Sequence, residues 1–306
     1  MSNPLALFPL AIAGARGRIG AVEPAGPTEY EVRQLVAAGL TLLQRSAPLV
    51  RALSGKRSAI LLPMSARFLA AIAASDGRGA VLLEPTATPA EIALECADGR
   101  VGAIFTTLDF AASVPEHLTV VFLDDAPRST RVVSEGRAQV VDLGSHHGLS
   151  LAGELGVEGR EEEAIVIYSS GDTPMAFTHA ALIANARSLV AGFALSASDH
   201  VLSAQPFSRR FALGAGLCAP LLAGARVTAI VARESGQSAG TLPPDMTLIV
   251  AGSAFFAEAM TRRAGAGTPF AAGKLRLCIS DETLPSELAR RWEDATGVRL
   301  LAGGAI

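Results

Sequence analysis

The residues with the clearest capacity for chemistry lie between Ala164 and His179, in the run AIVIYSSGDTPMAFTH. Ala164 to Tyr168 is an apolar run that reads as a buried strand. Ser169, Ser170, Gly171, Asp172 and Thr173 follow, then Thr178 and His179 at the start of a helical pattern that runs to Phe193. A strand, a turn of small hydroxyls and glycine, and a helix start form the layout that cradles phosphate, because bare backbone N–H groups and hydroxyls face an anion there. The turn carries no lysine to neutralise that anion. Asp172 would repel a phosphate unless a metal bridged them. His179 fits capping or packing as well as ligand contact.

Other chemistry-bearing residues are less specific. Arg209-Arg210 could hold an anionic group or form a solvated pair at a helix start. Asp281-Glu282 could be two catalytic carboxylates, but acidic residues are also favoured at a helix N-terminus, which is the simpler reading. His146-His147 has no Cys, Asp or Glu cluster at ligand spacing, so a surface loop is expected and no metal site. Cys96, Cys218 and Cys278 are too far apart, and too few, for a disulfide framework or a zinc site. They suggest a reducing, cytoplasmic compartment. Cys278 lies in an apolar strand, where a structural role is expected.

The elements that must position these residues alternate. Helices are expected at 28–44, 65–75, 88–97, 179–193, 210–222, 253–264 and 284–296. Strands are expected at 57–63, 79–84, 101–106, 118–123, 164–168, 200–204, 225–229, 247–251 and 274–280. Apolar strands alternating with helices imply parallel sheets covered on both faces. Ala126 to Glu163 is polar and has the character of a linker. The expected organisation is a first α/β lobe over 1–130, a linker over 131–163, and a second α/β lobe over 164–306. Gly14 to Gly20 is glycine-rich without a strong strand before it, and reads as a flexible entry segment.

Composition sets the bounds. The chain has 306 residues, enough for a large core, and half of them are apolar. Aromatics are few, so that core is mostly Ala, Leu, Val and Ile. The formal net charge of −3 argues against a nucleic-acid surface or a polybasic membrane patch. Leu5 to Ala13 is apolar but too short to span a bilayer, and no basic segment precedes it to make a signal peptide.

The loop residues carry a family resemblance. The stretch resembles the phosphate-binding loop of the adenylate-forming ligases, the acyl-CoA synthetase and luciferase superfamily, whose pattern is Tyr-Thr-Ser-Gly-Thr-Thr-Gly-x-Pro-Lys-Gly-Val-x-x-Thr-His. Tyr168, Ser170, Gly171, Thr173, Pro174, Thr178 and His179 match it. Further resemblances run along the chain: Glu29 to Val32, Ala59 to Ser65, Gly79 to Pro85, Pro206 to Leu217, Pro220 to Val227, and Leu275 to Leu301. The resemblance implies two stacked α/β lobes with mainly parallel sheets, like the N-terminal domain of those ligases without the C-terminal domain. For an active member it also implies ATP and magnesium as cofactors.

The departures from the pattern point one way. The loop is shortened, its later glycines are gone, and Met175 stands where the lysine would fall. Arg209 replaces a motif histidine, and Gly304 replaces the adenine-stacking aromatic. The magnesium-binding glutamate of the pattern would lie beyond Ile306. The resemblance therefore implies a degenerate nucleotide loop at Ser169, Ser170, Gly171, Asp172, Thr173 and His179, no catalytic residues, and no cofactor. It also implies an acyl pocket at Phe207, Arg209, Phe211, Gly214 and Gly252, in which Arg209-Arg210 could meet a CoA or pantetheine phosphate. Core packing is the competing reading of those apolar positions. The expected role is an acyl-binding or partner-binding domain in a biosynthetic pathway, with a small carboxylic acid, an acyl carrier protein or another copy of the chain as partner. An active half of a split carboxylate-adenylating ligase, and a structural or oligomerisation scaffold, are the alternatives.

Overall fold

A computed structural model describes residues 17–23, 26–75, 79–144, 163–168, 174–230, 245–266 and 274–302. The described chain opens with an antiparallel hairpin, β1 (Arg18–Glu23) and β2 (Gly26–Glu31). Residues 18–20 are thus strand rather than flexible entry, and the helix expected from 28 begins later. It is α1 (Val32–Arg45), capped by a reciprocal pair in which Glu31 and Gln34 satisfy each other's backbone N–H. Residues 28–31 are held in β2 by pairing with β1, which local helix propensity cannot overcome.

The short α2 (Ala47–Ala52) starts at Ser46, whose side chain accepts from the Leu49 N–H. Next come β3 (Arg57–Ile60), the wholly buried α3 (Phe68–Ala74) and β4 (Ala80–Leu82). Helix α4 (Pro89–Asp98) has Pro89 at its first turn and a Thr88–Glu91 capping box. Strands β5 (Val101–Thr106) and β6 (Thr119–Phe122) follow. The segment expected to be a linker instead carries most of a hairpin, β7 (Ser129–Ser134) and β8 (Arg137–Asp142). Its turn places Glu135 at φ 51° and Gly136 at φ 72°. Two positive φ values suit the right-handed twist of the strands. The segment is polar because β8 is an exposed edge strand.

Strands β9 (Glu163–Ile167) and β10 (Met175–Thr178) lead into α5 (His179–Gly192) and then β11 (His200–Ala204). A continuous helical run follows: α6 (Arg210–Leu213), a π-helical turn (Gly214–Cys218) and α7 (Ala219–Leu222). The chain continues through β12 (Arg226–Ile230), β13 (Leu248–Ala251), α8 (Ser253–Ala266), β14 (Leu277–Ser280), α9 (Ser286–Thr296) and β15 (Leu300–Ala302).

Two mixed, mostly parallel sheets result. One has the order β15-β14-β13-β11-β12-β1-β2, the other β10-β9-β4-β3-β5-β6-β7-β8. The sheets do not divide the chain at residues 131–163. β1 and β2 join the later strands, with β1 parallel to β12, while β9 returns to the earlier strands and lies parallel to β4. Strand alternation predicts parallel pairing but not which sheet a strand enters.

The layers explain the burial. The largest core joins Ile19, Val227 and Ala229 of one sheet to Ile60, Leu82 and Phe105 of the other, through α1, α3, α5 and the π-helical turn. Outside the seven-stranded sheet, Phe256 of α8 stands edge-on to Trp292 of α9 at 4.9 Å. Outside the eight-stranded sheet, Ile92 and Cys96 of α4 cover Ala59 and Val81. The three cysteines are buried free thiols. Burial pushes Cys96 and Cys278 up to about 12 and Cys218 higher still, which makes them inert packing groups. No helix among the described residues is long and apolar enough to cross a membrane.

Candidate functional site

In an open parallel sheet, ligands bind in the crevice beyond the carboxyl ends of the strands, where loops leave in different directions. Here the loops after β11, β13 and β14 converge with the segment after β4 of the other sheet. Gln205 follows β11 directly and is 3 % exposed. Its Nε2 donates to Asp281 Oδ1 at 2.6 Å. A carboxylate can only accept, so this contact fixes which way the amide faces. Its Oε1 is buried and has no hydrogen-bond partner among the described residues.

Beyond β13, Gly252 comes so close to this amide that an added Cβ would lie 3.0 Å from Gln205 Nε2 and 3.5 Å from Glu282 Oε1. Next to it, the Ser253 N–H donates to Glu282 Oε2 at 3.1 Å and its hydroxyl donates to the same oxygen. The Ser253 hydroxyl, with Arg209 nearby, holds the Glu282 carboxyl below the usual carboxylate range. Across the junction, Ser208 donates to Glu84 Oε2 at 3.0 Å, and Arg209 Nε stands 3.8 Å from the same oxygen. The rim is therefore anionic: Glu84, Asp281 and Glu282 lie along it, with Arg209 beside Glu84.

The expected site residues divide between two settings. Phe207, Arg209 and Gly252 lie on this rim. Phe207 is buried, with its ring 5.4 Å from that of Phe68. Phe207 and Phe68, with Ile60, Leu62, Leu82 and Ser208, line a cavity of about 10 Å³, space for about one water; Arg209 and Gly252 do not line it. Phe211 and Gly214 belong to the packing between the sheets. Phe211 lies against the central core, and a Cβ on Gly214 would be 2.9 Å from Asn185 Oδ1 of α5. His179 is the buried first residue of α5, one position after the N-cap Thr178, whose Oγ1 accepts from the Ala181 N–H at 3.1 Å. The loop residues Ser169, Ser170, Gly171, Asp172 and Thr173 lie outside the described residues, as do His146 and His147.

The reading of Asp281-Glu282 as helix-start residues does not hold. Helix α9 begins at Ser286 with Pro285 as its cap, so these carboxylates sit clear of its first turn and bond across the crevice instead. Gln205 and Glu84 were not singled out by the sequence. Their only signal is position: each is the first or second polar residue after an apolar strand.

A second polar cluster was also not foreseen, at the amino ends of β11 and β12. His200 is 4 % exposed. Its Nδ1 is 3.0 Å from Asp245 Oδ1, and its Nε2 is 2.7 Å from Thr228 Oγ1. Arg226 pairs with Asp245. Neighbouring Asp199 accepts from Arg276 Nε and Nη2, both at 3.0 Å, and from Thr247 Oγ1 at 2.7 Å. Burial lowers the His200 pKa, with Arg226 adding to the effect. Among the described residues, no group of three His, Cys, Asp or Glu side chains is placed to hold a metal ion.

Comparison with known proteins agrees with this architecture. A 4-coumarate–CoA ligase-like protein 4 of Oryza sativa subsp. japonica is 31 % identical over 161 residues, 47 % of this chain and 28 % of that protein. The benzoate CoA ligase of Burkholderia xenovorans superposes with a TM-score of 0.72 at 17 % identity, over 96 % of this chain and 60 % of that one. Apo MatB of Rhodopseudomonas palustris superposes with a TM-score of 0.69 at 18 % identity, over 96 % and 58 %. The chain thus spans less than two thirds of each of these relatives. The model of the AMP-binding enzyme family matches residues 49–305, and with that match over most of its length the chain belongs to the AMP-binding enzyme family.

Proposed function

We propose that this chain is a non-adenylating member of its family, a reducing-compartment, cytoplasmic domain that acts by binding an acyl group or a partner such as an acyl carrier protein. The observation that carries this reading is the rim itself. The described strand ends present three carboxylates, Glu84, Asp281 and Glu282, two of them tied down by Gln205 and Ser253. Electrostatic stabilisation of a transferring phosphoryl or acyl-phosphate group requires donors and cations aimed at it. The described rim supplies Arg209 alone, already facing Glu84. The anionic phosphates of ATP do not fit this set of groups, and among the described residues no three such side chains are placed to hold a magnesium ion.

The sequence supports the same reading, since Met175 stands where the loop lysine of the pattern would fall. A hydrogen bond to a charged group is worth about 1.5–3 kcal/mol. Losing two or three of them weakens nucleotide binding by roughly a thousandfold or more. The decisive measurement is ATP–pyrophosphate exchange with a panel of aliphatic and aromatic carboxylic acids, alongside calorimetry with Mg-ATP. The expected result is no exchange and no binding heat at micromolar nucleotide. Acid-dependent exchange, or micromolar Mg-ATP affinity, would overturn the proposal.

A further inference from the structure

We propose that the crevice at the carboxyl ends of β11, β13 and β14 binds a primary ammonium group, held by Gln205 Oε1 and the Asp281 carboxylate. The inference rests on the reading of this crevice as a ligand site and names the chemistry of its ligand. Two independent features converge. The first is the unpartnered acceptor: Gln205 is 3 % exposed, Asp281 fixes its amide orientation, and its Oε1 has no hydrogen-bond partner among the described residues. Buried polar groups are nearly always paired, so a buried acceptor of this kind calls for a donor.

The second feature is charge. The segments facing the crevice contribute Glu84 from the end of β4, Arg209 from beyond β11, and Asp281 and Glu282 from the end of β14. Among the described residues, three carboxylates against one guanidinium favour a cation over a phosphate or carboxylate. Ser253 engages Glu282, and Ser208 and Arg209 engage Glu84. Asp281 is left to act with Gln205. An ammonium carries three donors and no acceptor, the complement of a site made of acceptors. A bulkier tetraalkylammonium carries the charge without the donors.

The test is a thermal-shift titration of the full chain at fixed ionic strength with ethylamine hydrochloride, tetramethylammonium chloride and Mg-ATP. It is repeated on Asp281→Asn and Gln205→Leu. Asp281→Asn keeps an acceptor for Gln205 Nε2 and removes only the charge, so the test stands even if Gln205→Leu does not fold. The expected result is a saturable rise in melting temperature with ethylamine, none with tetramethylammonium, and at least a tenfold weaker midpoint in Asp281→Asn. Absence of a saturable ethylamine shift, an equal shift with tetramethylammonium, or an unchanged midpoint in Asp281→Asn overturns the ammonium site. Stabilisation by micromolar Mg-ATP instead overturns the parent reading, so the two failures are separable.

Discussion

His200 shows how a single buried side chain couples this fold to pH. Desolvation holds its pKa below the unfolded value of about 6.5. At pH values below about 6.5 the unfolded chain therefore takes up a proton that the native imidazole refuses, and stability falls as pH drops. Asp199 acts in the same direction at lower pH. Burial works to raise its carboxyl, but Arg276, Thr247 and the Ser196 N–H outweigh that and hold it low. Its contribution is present above the unfolded carboxylate range of about 3.9 and is lost as pH falls through its folded value. The expected outcome is a melting temperature lower at pH 5.5 than at pH 7.5, with a smaller difference in His200→Gln. Equal slopes in wild type and variant would show that His200 is not the titrating group. None of this was legible in the sequence, where His200 and Asp245 are 45 positions apart and no motif joins them.

The elements are held in place by close backbone approaches as much as by side-chain volume. Helix α1 crosses α3 at Gly39, where an added Cβ would fall 2.2 Å from the Ala70 carbonyl oxygen and 2.8 Å from the Ala73 Cβ. Both helices are buried at this crossing, so neither can retreat without opening the core between the sheets. Gly39→Val is expected to cost at least about 1–3 kcal/mol, the range for overpacking, with a correspondingly lower midpoint in urea. At Gly55, by contrast, φ is +68° and nothing lies within 4 Å of an added Cβ, so Gly55→Ala costs only backbone strain, about 1 kcal/mol. A larger loss at Gly55 than at Gly39 would refute this account of the helix crossing. Several elements were legible from local pattern alone: α4 from its Thr88-Pro89-Glu91 start, β5 from its apolar run, and β11 at its observed bounds. The β7–β8 hairpin was not, because an exposed edge strand has the composition of a loop.

In the whole molecule, the two sheets share one central layer, since residues of both enter the same core with α1, α3 and α5 between them. The expected consequence is a single unfolding transition. Trp292, the lone tryptophan, sits in the outer layer of the seven-stranded sheet, while far-UV circular dichroism averages over both sheets. The two melts should coincide, as two-state unfolding requires. A fluorescence transition separated from the circular dichroism transition would show instead that the outer layer melts independently. The sequence by itself determined the α/β class and the family. These depend on local apolar periodicity and on residue types at matched positions, both carried by neighbouring residues in the chain. Only the tertiary structure decided that β1 and β2 join the later strands and β9 the earlier ones, and that Gln205, Gly252, Ser253, Asp281 and Glu282 meet at one rim. Strand partners are chosen by which apolar faces can be buried together across long loops, and a parallel sheet gathers the ends of strands that lie tens of residues apart.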